Sequence, residues 1–128
     1  MLKHEMVIIS AEVERPITDE KEGITWITKL VEKIGMEFFV PPIAKYSHMD
    51  GNRGLTISAI ITTSHIACHI WDETNPAKVE LDVYSCSTLD VNAVLDCLEE
   101  MAPSKVMYKF IDRENGLNEL YSNRIIKS

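Results

Sequence analysis

Long apolar runs are missing from this chain. None approaches the roughly 18–20 residues that a membrane span requires. The opening Met1-Leu2-Lys3-His4-Glu5 has no extended apolar core and no small-residue cleavage site, so a signal peptide is not expected. These absences make the cytoplasm the expected compartment. Cysteine is scarce too: Cys68, Cys86 and Cys97 are an odd number without CxxC spacing. That excludes a disulfide framework and fits reduced thiols. Basic residues are outnumbered, 13 Lys and Arg against 20 Asp and Glu, for a net charge of -7. This balance opposes nucleic-acid binding, which needs clustered Lys and Arg, and would attract a cationic ligand only modestly. No repeat, low-complexity stretch or linker interrupts the 128 residues, a length that suits one domain.

What is present is a sequence of alternating and helical patterns. Met6-Val7-Ile8-Ile9 lies in a first strand, His4 to Val13, which Arg15-Pro16 breaks. Asp19-Glu20-Lys21-Glu22 provides the negative first turn of a helix over Glu20 to Ile34. Ile24, Ile27, Leu30, Val31 and Ile34 form its apolar stripe, and Gly35 follows as the terminating residue. Glu37 to Val40 reads as a strand before Pro41-Pro42. Asp50-Gly51-Asn52-Arg53-Gly54 is a turn signal, after which Leu55 to Thr62 and His65 to Trp71 are adjacent strands. Asn75-Pro76 turns into a strand in which Val79, Leu81 and Val83 alternate with charged or polar residues. Thr88 or Asp90 caps a second helix with Val91, Val94, Leu95 and Leu98 on one stripe, and Pro103 ends it. Val106 to Ile111 is the last strand, and Asn115-Gly116 opens a polar tail. The order β-α-β-β-β-β-α-β predicts an α+β two-layer sandwich, an antiparallel sheet with both helices on one face.

One stretch is chemically dense. Thr62-Thr63-Ser64-His65-Ile66-Ala67-Cys68-His69-Ile70-Trp71-Asp72-Glu73 sets hydroxyls, two imidazoles, a thiol and two carboxylates among apolar residues. Polar groups in partly dry surroundings must find partners or cost stability. Taken singly, Ser64 is a turn hydroxyl, His65 and His69 are core histidines, Glu73 is a solvated carboxylate, and Cys86 is a small buried hydrophobe. A zinc site is not expected, because His65-x3-His69 converges on a metal from a helix and this stretch reads as strand.

Together, Ser64-His65-Ile66-Ala67-Cys68-His69-Ile70-Trp71-x-Glu73 and Leu81-Asp82-Val83-Tyr84-Ser85-Cys86 resemble the small prokaryotic-type S-adenosylmethionine decarboxylases. The resemblance covers about a third of the chain closely and the rest by element order, and implies one such domain over residues 1–128. It implies that Ser64 attacks the preceding carbonyl and that the chain cuts itself between Thr63 and Ser64. The serine remnant then becomes a pyruvoyl group, whose ketone forms a Schiff base with the substrate amine and takes up electrons as carbon dioxide leaves. By the same resemblance His69 assists the elimination step and Cys86 returns a proton to the product carbon. Glu73 holds the substrate ribose, and the Thr56 hydroxyl aids processing. The implied substrate is S-adenosylmethionine, the product feeds spermidine synthesis, and the implied assembly is a homodimer or higher homo-oligomer with sites at subunit contacts.

The chain departs from the family pattern in three places. Thr63 stands where the family has glutamate, and its β-branch restricts the backbone at the bond to be cut. Asp50 stands where the family has an adenine-stacking aromatic, with Tyr46 nearby. The Trp71–Asp82 interval is two residues longer than expected. Two alternatives therefore stand beside the first reading: an uncut, non-catalytic relative that binds a small molecule or a partner, and a pyruvoyl decarboxylase for another amino acid such as arginine or ornithine. Ser64 and His69 also have opposite parity in a strand, so they share a site only if Ser64 sits at a bend before the strand begins.

Overall fold

Asp19, in extended conformation, accepts a hydrogen bond from the Glu22 amide through its side chain and starts helix α1, Glu20–Lys33. Gly35, at φ +74, sits just beyond its end, a conformation glycine adopts without strain. The second helix, α2, Val91–Leu98, is capped the same way by Asp90. In the computed structural model, which describes residues 2–114 and 116–126, these helices accompany seven strands. The strands are β1, Glu5–Val13; β2, Ile43–Ser47; β3, Gly54–Ile61; β4, Ser64–Trp71; β5, Ala77–Ser85; β6, Pro103–Asp112; and β7, Asn118–Ile126. They form one antiparallel sheet in the order β2-β3-β4-β5-β1-β6-β7.

The strand alternation decides where the core lies. Val7, Ile9, Ile57, Ile61, Ile66, Ile70, Leu81 and Val83 are buried on one face of the sheet, under Trp26, Ile27, Leu30, Val94 and Leu98 of the helices. Each large side chain buried this way contributes about 1.5–3 kcal/mol. The Trp26 indole N–H donates to the Cys97 carbonyl at 2.8 Å, tying α1 to α2. Among the described residues the opposite face carries no helix, and it exposes Ile8, Ile60 and Met107. This is the α+β arrangement that the patterning predicted.

Three local expectations are corrected. Residues Glu37–Val40 make only an isolated bridge, Phe38 with Ile61, and the edge strand forms after the two prolines, as β2. Proline removes ladder donors, so pairing resumes only where every amide is available. Pro103 does not end α2; a single 3₁₀ turn, Glu99–Met101, and Ala102 in left-handed conformation close it, and Pro103 opens β6. The polar tail is in fact β7, an almost fully exposed edge strand on β6. Asn115, where that tail was expected to open, lies outside the described residues. Among the described residues no helix is long and apolar enough to cross a membrane.

Candidate active site

β3 and β4 form a hairpin in which Ile61 pairs with Ser64, leaving Thr62 and Thr63 as its turn. Thr63 takes φ +55, a left-handed conformation that is uncommon for a β-branched residue and costs about 1–3 kcal/mol. The strain therefore sits at the bond before Ser64. Ser64 itself is buried, and its Oγ accepts a hydrogen bond from the Cys86 amide at 2.9 Å. The Cys86 thiol points to the same turn and donates to the Thr62 carbonyl at 3.5 Å. The hydroxyls of Ser64 and then Thr63 beside its sulfur hold this thiol below the ordinary cysteine range. Cys68, buried on the core face, is pushed well up, and Cys97 is pushed up by partial burial.

The other residues singled out in the sequence collect at the far end of the hairpin. Thr56 pairs with His69 across β3 and β4, and its Oγ1 lies 3.0 Å from His69 Nδ1. The Trp71 ring lies 5.8 Å from the His69 ring, and its indole N–H donates to Asn52 Oδ1 at 2.8 Å. Glu73 lies just past β4, and each of its carboxylate oxygens accepts one backbone N–H, from Arg53 and from Gly51, both at 3.0 Å. These amides hold its carboxyl below the usual range. A cleft of about 250 Å³ lies here, lined by Asn52, Thr56, His69 and Trp71 among others.

Ser64 with Cys86 and Thr56 with His69 and Glu73 are thus two separate clusters in one chain. Five residue steps along the strand separate Ser64 from His69, about 16 Å at the usual rise. Ser64 lies in regular pairing as the first residue of β4, and the bend that would have brought it beside His69 is absent. Their side chains leave opposite faces, Ser64 toward the helices and His69 toward the open face.

Neither histidine is a core histidine, since both lie on the open face, His65 exposed and His69 half-buried. His65 Nε2 approaches Asp82 at 3.5 Å and its ring lies against Tyr84, whose hydroxyl is 2.6 Å from His4 Nδ1. Tyr46 cannot replace the missing stacking ring on that face. It pairs with Leu55 on the helix side and donates its hydroxyl hydrogen to Asp72 at 2.7 Å. The Asp82–Tyr84–His65 group and Asn52 were not assigned roles from the sequence. Asn52 carried only a turn signal, and nothing in its spacing showed that it would reach Trp71. Among the described residues no three His, Cys, Asp or Glu side chains converge to hold a metal ion.

The site thus sets a strained turn beside a serine and a thiol held below the ordinary cysteine range, on a one-sided α+β sheet. The sequence model described as S-adenosylmethionine decarboxylase matches residues 5–114. The S-adenosylmethionine decarboxylase proenzyme of Pyrobaculum arsenaticum is 33% identical over 99 residues, 76% of this chain and 70% of the relative. That of Pyrobaculum aerophilum is 35% identical over 101 residues, 77% of each chain. The corresponding proenzyme of Pyrobaculum islandicum is 42% identical over 64 residues, 48% of this chain and 50% of the relative. The chain belongs to the S-adenosylmethionine decarboxylase family.

The thiol environments give a direct test. In the uncut chain, iodoacetamide should label Cys86 well before Cys97 and leave Cys68 unmodified. The Cys86 rate should reach half its maximum at a lower pH than that of Cys97, because the neighbouring hydroxyls lower the Cys86 pKa and partial burial raises that of Cys97. Peptide mass mapping over a pH series measures this, and faster labelling of Cys97 would contradict it.

Proposed function

We propose that this protein is a self-processing, pyruvoyl-dependent decarboxylase acting on S-adenosylmethionine, whose product serves spermidine synthesis. The observation that carries the reading is the hairpin turn. Ser64, held by the Cys86 amide, follows a residue whose backbone is strained. The Ser64 hydroxyl adds to the Thr63 carbonyl carbon, the Thr63–Ser64 C–N bond breaks, and an ester replaces the amide with the nitrogen freed as an amine. Loss of the Ser64 α-proton then expels the Thr63 carboxylate and cuts the chain. Hydrolysis of the resulting enamine releases ammonia and leaves the pyruvoyl group on His65. Cleavage lets Thr63 leave its left-handed conformation, so relief of strain favours the forward direction.

The residues present fit that group: the serine that would supply it is placed at a turn, with a thiol beside it. When formed, it supplies an electron sink for the bond broken as carbon dioxide departs. Cys86 then holds a proton at Sγ for return to the product carbon, and so must be in its thiol form at that step. Thr56 orients His69 through the 3.0 Å contact and fixes which imidazole nitrogen is available. Glu73 keeps acceptor capacity beyond its two amide bonds, enough to receive ribose hydroxyls.

Because one chain separates the two clusters, the reading requires two copies. Packing of two open sheet faces about a two-fold axis near the middle of β4 would set the start of one β4 against the end of the other. The end of the sheet that carries Ser64 and Cys86 would then lie over the end of the partner's sheet that carries Thr56, His69 and Glu73, and the cut after Thr63 frees the Ser64 remnant to turn from the helix side toward them. The exposed Ile8, Ile60 and Met107 would be covered by the same contact. The free thiols suit a reducing compartment, the cytoplasm.

Release of labelled carbon dioxide from carboxyl-labelled S-adenosylmethionine, arginine and ornithine tests the substrate. Turnover of S-adenosylmethionine alone is expected. Turnover of arginine or ornithine instead would move the reading to another pyruvoyl decarboxylase. No release from any of the three would leave a binding module.

A further inference from the structure

The β2–β3 turn reaches across the end of β4 and holds two groups of the candidate site at once. The Asn52 side-chain oxygen accepts the Trp71 indole N–H at 2.8 Å, while the backbone amides on either side of it, Gly51 and Arg53, donate to the two oxygens of Glu73. The turn is itself fixed. The Asn52 amide donates to the Met49 carbonyl at 2.9 Å, the Arg53 guanidinium donates to the His48 carbonyl at 3.2 Å, and the Asp72 amide donates to the Arg53 carbonyl at 3.3 Å. At Gly54, φ +153, a Cβ would lie 1.8 Å from the Ile70 carbonyl oxygen, so only glycine lets the turn lie this close to β4.

Among the described residues lining the cleft, the indole is the one flat ring besides the His69 imidazole, and it faces the open side of the sheet. A tryptophan at a half-exposed site turns broadly about its outer torsion unless its N–H is held. With the N–H already bonded to Asn52, the ring offers a ligand its π face. We propose that Asn52 is a positioning residue that sets the plane of Trp71 for stacking on the substrate's heteroaromatic base. The turn then grips base and ribose hydroxyls at a fixed spacing through Trp71 and Glu73. The proposal rests on the S-adenosylmethionine reading. It also gives that reading a source of selectivity, because an amino acid without a nucleoside engages neither grip.

The test uses the full-length protein with Asn52→Ala, which removes the acceptor, and Asn52→Asp, which keeps it. Asn52→Ala should self-process normally and raise KM for S-adenosylmethionine by about tenfold with kcat changed by less than about twofold. Asn52→Asp should restore most of the affinity. Emission from Trp71 should shift in Asn52→Ala, while the buried Trp26 acts as an internal constant. An unchanged KM with shifted emission would overturn the proposal, as would a loss confined to kcat. Adenosine is the second probe and separates this inference from the functional reading. If the wild type releases no carbon dioxide, the decarboxylase reading fails. Quenching of Trp71 by adenosine, weakened in Asn52→Ala and recovered in Asn52→Asp, would still support the positioning role, and equal quenching in all three would overturn it.

Discussion

Ser64→Ala should leave the chain whole at 14.5 kDa and reduce decarboxylation by at least about a thousandfold. The expectation follows from the chemistry of one atom. Without Oγ there is no nucleophile for the Thr63 carbonyl, no ester, no elimination and no ketone. The fold should survive. The substitution removes one hydrogen bond to the Cys86 amide, which costs about 1 kcal/mol, and alanine fits the buried position. Circular dichroism and a melting curve close to wild type, together with an intact mass, would separate a chemical from a structural loss. Substantial decarboxylation by an uncut Ser64→Ala chain would remove Ser64 from the mechanism.

The second large effect concerns the two clusters. Cys86→Ala and His69→Ala should each be nearly inactive alone, and mixing them should restore activity. In a two-fold dimer with shared sites, a mixed dimer rebuilds one complete site, with Cys86 from one protomer and His69 from the other. Random exchange makes half of the dimers mixed, so recovery should approach about a quarter of the wild-type rate. The physical ground is the roughly 16 Å between Ser64 and His69 along one strand, and their opposite faces. Co-expressed chains carrying two different tags give the measurement. If activity stays at the level of the single variants, both clusters would have to act within one protomer, and the two-copy site would be wrong.

The elements that the sequence made legible are those with strong periodicity and explicit punctuation. α1 shows its stripe, its Asp19 cap and its Gly35 terminator, and β5 alternates without interruption. β7 was not legible. Leu120 and Tyr121, and again Ile125 and Ile126, are adjacent, which hides the alternation of an exposed edge strand. Phe38-Phe39-Val40 misled for the converse reason: its apolar character exceeds its pairing, and the prolines that follow delay β2.

At the candidate site the residue types were legible from their order, while their placement was only half so. Parity in β4 separated Ser64 from His69, and the structure keeps that separation without the expected bend. The turn over Asp50–Gly54 was read as a turn and no more. Its hydrogen bonds to Trp71 and Glu73 join residues about twenty positions apart, and no local pattern encodes them.

The central claim is that this chain makes its own cofactor by cutting itself. The denatured mass of freshly purified full-length protein tests that most directly. The account predicts two fragments, Met1–Thr63 and a Ser64-derived piece whose N-terminus is a pyruvoyl group and resists Edman sequencing. A single chain of 14.5 kDa that remains whole on prolonged incubation would contradict it.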